Sequence, residues 1–278
     1  MATREPVRLG TVPETLLVSL YARAVESRRK RPILEDPKAS AMVESIDWDF
    51  ARFGQRWRVL GCTLRGAMFD ECVKKFLRSH AEGTVVEIGS GLNTRFERLD
   101  NGCVRWFDLD LPEVAALRRK FFADSERRTT LAASVLETGW MAAVRRSPGP
   151  YLFVAETVFA YLAEREVKAA LAQLAENFPS ATLLFDTLSR RAVDGGNRDH
   201  ARRKLDARFA WGCEDAREIE DWNIGLRLVE SLTIADVPAP LRARLSRVLR
   251  ISLSVLHRLF PQAMKVYQLN LFAAQPAG

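Results

Sequence analysis

The stretch that decides the fold is Val85-Val-Glu-Ile-Gly-Ser-Gly-Leu-Asn-Thr94, in which an apolar strand leads into a Gly-x-Gly turn and a helix start. In a sheet with helices on both faces, ligands bind at the carboxyl ends of the strands, beside such a turn. Gly89 and Gly91 have no Cβ, so the backbone there can approach a ligand closely. The dinucleotide fingerprint requires a third glycine where this chain has Thr94. On its own, Gly-x-Gly is equally typical of a strand-to-helix turn that binds nothing.

The next apolar stretch, Trp106-Phe-Asp-Leu-Asp-Leu-Pro112, places two acids about 20 residues beyond the glycines. In Rossmann-like sheets, an acid at the end of the second strand accepts hydrogen bonds from ribose hydroxyls. Period-two alternation puts Asp108 and Asp110 on the same face. An acid before a helix that begins with proline can instead cap that helix. Both interpretations stay open for Asp108, whereas Asp110 is nearer the strand end and favours ligand contact.

Together these residues predict a cofactor that contains adenosine. Nicotinamide dinucleotides and S-adenosylmethionine both satisfy the pattern. The missing third glycine disfavours a dinucleotide, because its pyrophosphate needs the helix N-terminus close by. S-adenosylmethionine has no phosphate and tolerates a looser turn, so it is the predicted cofactor.

From Thr84 onward, short apolar runs alternate with longer amphipathic stretches, which predicts an α/β fold with a mostly parallel sheet between two helical layers. Helical spacing also occurs earlier, in Leu16–Val25 and Leu64–Leu77. We expect residues 1–80 to form a helical N-terminal extension and residues 81–278 to form the main domain, with a cap over about residues 188–225. The predicted strands are Thr84–Gly89, Val104–Asp110, Thr129–Val135, Tyr151–Glu156, Ala181–Thr187, Arg227–Ile234 and Gln268–Ala274, the last as an antiparallel edge. The predicted helices are Pro112–Phe122, Glu137–Arg146, Ala163–Asn177 and Pro240–Leu259.

Composition excludes several classes of protein. The chain has 278 residues, of which 47% are hydrophobic and 28% charged, so wholesale disorder is excluded. No run of about 18 apolar residues lacks a charge, which excludes a membrane span. Four scattered cysteines and three distant histidines predict neither a disulfide framework nor a metal site, and they favour the reducing cytoplasm.

The net charge of +7 makes an anionic partner conceivable but is also typical of a solvated surface. Much of the charge lies in the predicted helix Pro240–Leu259, which is basic and amphipathic. We expect this helix to pack on the surface of the core. Attachment to a membrane or to RNA is the less favoured interpretation.

Several motifs resemble the leucine carboxyl methyltransferase family, and most closely its tetracenomycin-type polyketide O-methyltransferases. The resemblance implies the Rossmann-like class I methyltransferase fold with a seven-stranded sheet, and S-adenosylmethionine as the cofactor. The glycine turn with its Asp-Leu-Pro successor is the specific part of the likeness. The matching segments are Val85–Leu99, Trp106–Val114, Phe153–Leu162, Glu35–Ala39, Leu64–Gly66, Leu183–Thr187 and Tyr267–Phe272.

The resemblance also implies a set of cofactor-binding residues. Arg65 matches the family's arginine that pairs with the methionine carboxylate, and Glu156 matches the glutamate near the methionine ammonium. Asp110 matches the acid that binds ribose. Ser134 and Val135 fall where the family usually has Asp-Leu beside the adenine, so a neutral acceptor replaces a charged one. The residues expected around the methionine are Gly89, Ser90 and Gly91.

The acceptor side is less defined by sequence. Tyr161 and His200 are the candidates for acid–base catalysis or for orienting the substrate. The arginine-rich stretch Ser189–Arg208 is predicted to form a lid, in which Arg202 and Arg203 would hold an acidic substrate; a mobile charged loop is the alternative. The aromatic residues that follow could form walls of the pocket or pack in the core: Phe209, Trp211 and Trp222.

Three functions are compatible with these features. The favoured one is an O-methyltransferase that acts on a carboxylate or hydroxyl of a small polyketide-like or aromatic metabolite. The second is methylation of a protein's C-terminal leucine carboxylate. The third, methylation of nucleic acid, is disfavoured because the fourth strand continues as Glu156-Thr-Val-Phe and lacks the Asn/Asp-Pro-Pro-aromatic motif of amino-group methylases. A cofactor-binding module without activity is the residual class, and the sequence predicts no oligomeric state.

Overall fold

The computed structural model describes residues 5–6, 15–53, 55–202, 205 and 207–275. The strands of the main sheet are β1 (Thr84–Ile88), β2 (Arg105–Asp110), β3 (Arg128–Ala132), β4 (Tyr151–Ala155), β5 (Thr182–Leu188), β6 (Leu226–Thr233) and β7 (Tyr267–Ala274). The helices are α1 (Thr15–Ser27), α2 (Pro37–Ser45), α3 (Arg56–Ser79), α4 (Arg95–Leu99), α5 (Pro112–Arg118), α6 (Met141–Val144), α7 (Glu164–Asn177), α8 (Arg190–Arg202), α9 (Ala239–Arg242), α10 (Arg247–Leu259) and α11 (Pro261–Met264). Short 3₁₀ helices span Phe50–Phe53, Phe159–Tyr161 and Ala216–Trp222, and Glu5–Pro6 pairs with Ile46–Asp47.

The sheet has the strand order β3-β2-β1-β4-β5-β7-β6, in which β1 to β5 are parallel. This confirms the predicted Rossmann-like α/β fold with seven strands. The strand order reverses between β1 and β4, and the carboxyl ends of those strands form the crevice where such sheets bind ligands.

The last strand is antiparallel, as predicted, but it is not the edge of the sheet. Strand β7 lies between β5 and β6 and pairs with both. Most of its side chains are buried, whereas β6 alternates between more and less exposed residues. Among the described strands β6 pairs with β7 alone, so β6 is the edge.

Each face of the sheet has its own apolar core, because alternate side chains of a strand point to opposite faces. On one face Val86 and Phe153 pack with Leu171 of α7. On the other face Val85 and Leu152 pack with residues of α3 such as Met68. The helices α1 and α2 form a third cluster, so the N-terminal segment packs beside the sheet.

Three predicted helices differ from the structure in length or continuity. The helix predicted over Pro112–Phe122 ends at Arg118. The helix predicted over Glu137–Arg146 comprises only α6. The predicted helix Pro240–Leu259 divides into α9 and α10, because Ser246 caps a new helix by accepting a hydrogen bond from Leu249 N at 3.2 Å. None of the helices in the described ranges is long and apolar enough to cross a membrane.

The segment predicted as a lid contains helix α8, and the Gly195-Gly196 pair lies inside that helix. An alanine Cβ at position 196 would stand 2.6 Å from the Phe209 ring. A glycine is therefore required at position 196 by the close approach of that ring, whereas a Cβ at position 195 would only touch Arg198 Nη2 at 3.9 Å.

Candidate active site

A cavity of about 550 Å³ lies at the carboxyl ends of the central strands. This volume is in the range of roughly 300–1,000 Å³ that ligand pockets occupy. Its walls come from the segments that follow β1, β2, β3 and β4, and from helices α1, α3 and α8. The lining from the strand ends is Glu87–Asn93, Leu109–Leu111, Ala133–Val135 and Glu156–Val158.

The glycine turn after β1 forms part of this wall. Gly89 has φ +62° and Gly91 has φ +49°, a backbone region that favours glycine. A Cβ at Gly89 would collide with the Val158 side chain, so the turn after β4 packs directly on the turn after β1. Ser90 also lines the cavity, and its buried Oγ has no hydrogen-bond partner among the described residues.

The two candidate acids on β2 have different environments. Asp110 lines the cavity and accepts hydrogen bonds from Gly91 N at 2.6 Å and Leu111 N at 2.8 Å. Burial raises the pKa of Asp110 despite these amide donors. Asp108 lies deeper and forms ion pairs with Arg118 at 2.9 Å and Arg128 at 2.7 Å. Its carboxylate is held by these two cations, so it neither lines the cavity nor caps α5.

Arg65 and Glu156, which are 91 residues apart in sequence, meet in the cavity wall. Arg65 Nε donates to Glu156 Oε1 at 2.8 Å, and its Nη2 donates to Ser19 Oγ at 3.2 Å. Arg95 Nη2 lies 2.6 Å from the other oxygen of Glu156. Burial opposes the charge on Glu156, but the guanidinium groups of Arg65 and Arg95 outweigh it and lower the pKa of Glu156 from 4.5 to about 2. A paired cation and carboxylate of this kind can take the two charged groups of an amino acid.

Arg95 organises the acids beneath the cavity, and the sequence analysis missed it. Its fully buried guanidinium pairs with Asp70 at 2.8 Å, with Glu87 and with Glu156. These carboxylates raise the pKa of Arg95 above its ordinary value although burial opposes the charge. One signal was available in the sequence. Arg95 begins α4, and a cation at a helix N-terminus is unfavourable unless nearby carboxylates compensate.

Ser134 and Val135, the residues expected beside adenine, both line the cavity after β3. Ser134 Oγ accepts a hydrogen bond from Leu136 N at 3.2 Å, which leaves its hydroxyl proton available for another acceptor. Val135 is almost fully buried and provides an apolar surface next to it.

Another part of the cavity wall is aromatic. The rings of Tyr161 and His200 both pack on Phe209, with centroids 4.7 Å and 4.9 Å from it. Burial raises the pKa of the Tyr161 hydroxyl. His200 Nδ1 lies 2.8 Å from Ala207 O, and a carbonyl only accepts, so Nδ1 carries the proton and Nε2 of the neutral ring has a free lone pair. Trp57, largely exposed, completes this rim.

The cap helix reaches the cavity with Gly195, Gly196, Asp199 and His200. Arg202 is exposed and is not among the residues that line the cavity. Arg203 lies outside the described residues. The cation that the structure does place at this end is Arg58 of α3, whose Nη2 is 2.9 Å from Asp199.

The aromatic residues that were predicted as pocket walls or core can be located. Phe209 lines the cavity, whereas Trp211 is buried in the core and Trp222 packs against that core. Among the described residues, no three His, Cys, Asp or Glu side chains are grouped in a way that could hold a metal ion.

Comparison with known proteins identifies the family. The sequence profile of leucine carboxyl methyltransferases matches residues 17–175. The chain is 32% identical to the tetracenomycin polyketide synthesis O-methyltransferase TcmP of Streptomyces glaucescens, over 84% of this chain and 87% of TcmP. It is 26% identical to the S-adenosyl-L-methionine-dependent methyltransferase dpfgK of Gibberella zeae, over 82% of this chain and 84% of that protein.

A provisionally assigned methyltransferase from Thermobifida fusca has a similar solved structure, with a TM-score of 0.56 and 16% identity, over 91% of this chain and 94% of that chain. This likeness shows the shared fold. The profile match and the similarity to TcmP each cover most of the chain, so the likeness to this family extends well beyond the glycine turn. The chain therefore belongs to the leucine carboxyl methyltransferase family and is an S-adenosylmethionine-dependent methyltransferase.

Proposed function

We propose that this methyltransferase acts on an oxygen atom, a carboxylate or a hydroxyl, of a small aromatic or polyketide-like metabolite. The observation that carries the proposal is the aromatic part of the cavity wall, where the rings of Tyr161 and of His200 on helix α8 both pack on Phe209. An aromatic acceptor would stack on these rings. The 32% identity to TcmP, whose name describes an O-methyltransferase of polyketide synthesis, supports the same class of acceptor.

The cavity residues on α3 and at the carboxyl ends of the strands suit S-adenosylmethionine. Arg65 would bind the methionine carboxylate through its guanidinium, and Glu156 would accept hydrogen bonds from the ammonium. Asp110 keeps lone pairs free beyond its two amide bonds, so it can accept from ribose hydroxyls. The unpartnered Ser90 Oγ would gain a partner from the methionine portion, which would also pass along Gly89 and Gly91. Ser134 and Val135 would contact the adenine.

When bound, the cofactor would supply a methyl group on a positively charged sulfur. The acceptor oxygen would form a bond to the methyl carbon in line as the carbon–sulfur bond breaks, and the sulfur would leave as a neutral thioether. The chain's own residues then have three tasks: to orient the acceptor oxygen, to exclude water and to accept a proton where the acceptor carries one. His200 Nε2 has the lone pair for the last task if the acceptor is a hydroxyl. A carboxylate acceptor is already ionised and needs no base. Tyr161 would orient the acceptor from the 3₁₀ helix Phe159–Tyr161.

An anionic acceptor would find its cation in Arg58 rather than in the arginines predicted for the lid. Arg58 lines the cavity, and its buried Nε has no hydrogen-bond partner among the described residues. That Arg202 and Arg203 hold an acidic substrate stays a prediction. We also place the enzyme in the reducing cytoplasm, since its four cysteines are free thiols.

Methylation of a protein's C-terminal carboxylate is the second candidate, because the matching profile is that of leucine carboxyl methyltransferases. Incubation with methyl-labelled S-adenosylmethionine and a cell extract, followed by fractionation by size, separates the two. Label in small molecules supports the proposal, and base-labile label would further indicate an ester. Label confined to a protein would establish the second candidate, and label in RNA would overturn both.

A further inference from the structure

The turn after β4 has a backbone conformation that its sequence does not favour. Thr157 has φ +56°, in the left-handed region where a β-branched residue is rare. Such conformations persist only where neighbouring groups impose them. The residues on either side of Thr157 are Glu156, which pairs with Arg65, and Val158, which packs on Gly89. The strained residue therefore connects two parts of the cofactor site.

Asp186 on β5 binds both the amide and the hydroxyl of Thr157. Its Oδ1 accepts a hydrogen bond from Thr157 N at 2.7 Å, and its Oδ2 accepts one from the Thr157 hydroxyl at 3.0 Å. Asp186 is only 4% exposed, and burial raises its pKa. A buried carboxylate is costly unless hydrogen bonds and nearby charges compensate it, and here each oxygen accepts a hydrogen bond from Thr157 while the Arg65 guanidinium favours the charged form.

We propose that Asp186 is a positioning residue for the methyl-donor site: it fixes Thr157 in the left-handed conformation and so directs the Glu156 carboxylate toward Arg65 and the ammonium of the cofactor. Without this clamp, Thr157 would relax to a common backbone conformation. That rotation would turn Glu156 away from its place and loosen the packing of Val158 on Gly89. The inference rests on the proposed roles of Arg65 and Glu156 toward the methyl donor, and it does not depend on the identity of the acceptor.

The first test uses the variant Asp186→Ala, which removes both carboxylate oxygens and therefore both hydrogen bonds to Thr157. Calorimetric titration with S-adenosylhomocysteine should show affinity about tenfold weaker than in the unmodified protein, the size expected for a misplaced charged partner. The same titration with an analogue that lacks the α-amino group should show little change, because that ligand makes no use of Glu156.

The second test places the substitution in a Thr157→Gly background. Glycine adopts the left-handed conformation without strain, so the clamp should matter less there. We expect Asp186→Ala to weaken the binding of S-adenosylhomocysteine by no more than about threefold in that background. Circular dichroism and thermal unfolding check that each variant folds.

Two results would overturn the proposal. One is an equal loss of affinity for S-adenosylhomocysteine and its deaminated analogue, which indicates a general disturbance of the fold. The other is an equal loss with and without the Thr157→Gly substitution, which indicates that Asp186 does not act through the conformation of this turn.

Discussion

Replacing Glu156 by glutamine should weaken both the fold and the binding of the methyl donor. The carboxylate lies between Arg65 at 2.8 Å and Arg95 at 2.6 Å, and its side chain is 11% exposed. Glutamine keeps the shape but removes the charge. A pKa lowered from 4.5 to about 2 corresponds to about 3 kcal/mol of folding free energy at neutral pH. This agrees with the roughly 3–5 kcal/mol lost when one partner of a buried ion pair is removed.

The sign of the pH dependence follows from the direction of the shift. Because the folded pKa of Glu156 lies below the unfolded one, its contribution is present above about pH 4.5 and is lost as the pH falls toward about 2. Urea unfolding at pH 7 should therefore show Glu156→Gln to be less stable by about 3 kcal/mol. As the pH falls toward about 2, the difference in unfolding free energy between the variant and the unmodified protein should shrink. Glu82→Gln, at an exposed position in the turn before β1, is the matched control. It should change neither the stability at pH 7 nor the dependence of stability on pH.

The same variant tests the role of Glu156 in the donor site. Loss of a charged hydrogen-bond partner costs about 1.5–3 kcal/mol, so calorimetry should show affinity for S-adenosylhomocysteine lower by roughly 10- to 150-fold. An affinity within about twofold of the unmodified protein, together with the expected loss of stability, would refute the reasoning and leave Glu156 a structural carboxylate only.

Asp110→Ala should weaken the binding of S-adenosylhomocysteine, measured by calorimetry, by about 1–3 kcal/mol, because hydrogen bonds to the ribose are lost. An unchanged affinity would contradict the assignment of Asp110 to the ribose. Gly196→Ala should force the Phe209 ring to move and should reduce transfer of labelled methyl groups to small molecules. Gly195→Ala is its control, with no atom closer than 3.9 Å to the added Cβ, and should raise thermal stability through helix propensity. His200→Gln should lower the rate of methylation of a hydroxyl acceptor, measured as base-stable product, by about 10²- to 10⁴-fold. The rate with a carboxylate acceptor, measured as base-labile product, should be nearly unchanged. Equal losses for both products would exclude His200 as the base.

The sequence predicted the sheet because its signals are local. Each strand of the sheet is a short apolar run bounded by turn residues, and the glycine turn with Asp110 marks the ligand edge. The antiparallel β7 was also predicted, but its place inside the sheet depends on pairing with β6, more than 30 residues earlier. Which distant strand a segment pairs with cannot be predicted from the sequence of that segment alone.

The candidate site was predicted less completely, because its chemistry depends on distant pairs. Arg95 meets Asp70 and Glu156, 25 and 61 residues away, and no spacing rule connects them. The side of α8 that faces the cavity could not be determined without knowing that the glycine pair is helical. Arg202 was consequently expected at the acceptor, where the structure has His200 and Arg58.

The most direct test of the donor site is a crystal structure of the protein with S-adenosylhomocysteine bound. We expect the methionine carboxylate within hydrogen-bond distance of Arg65, the ammonium beside Glu156 and the ribose hydroxyls on Asp110. The sulfur should face the end of the cavity that holds Tyr161 and His200. A ligand bound elsewhere, or with its methionine end away from Arg65 and Glu156, would contradict the assignment of these residues.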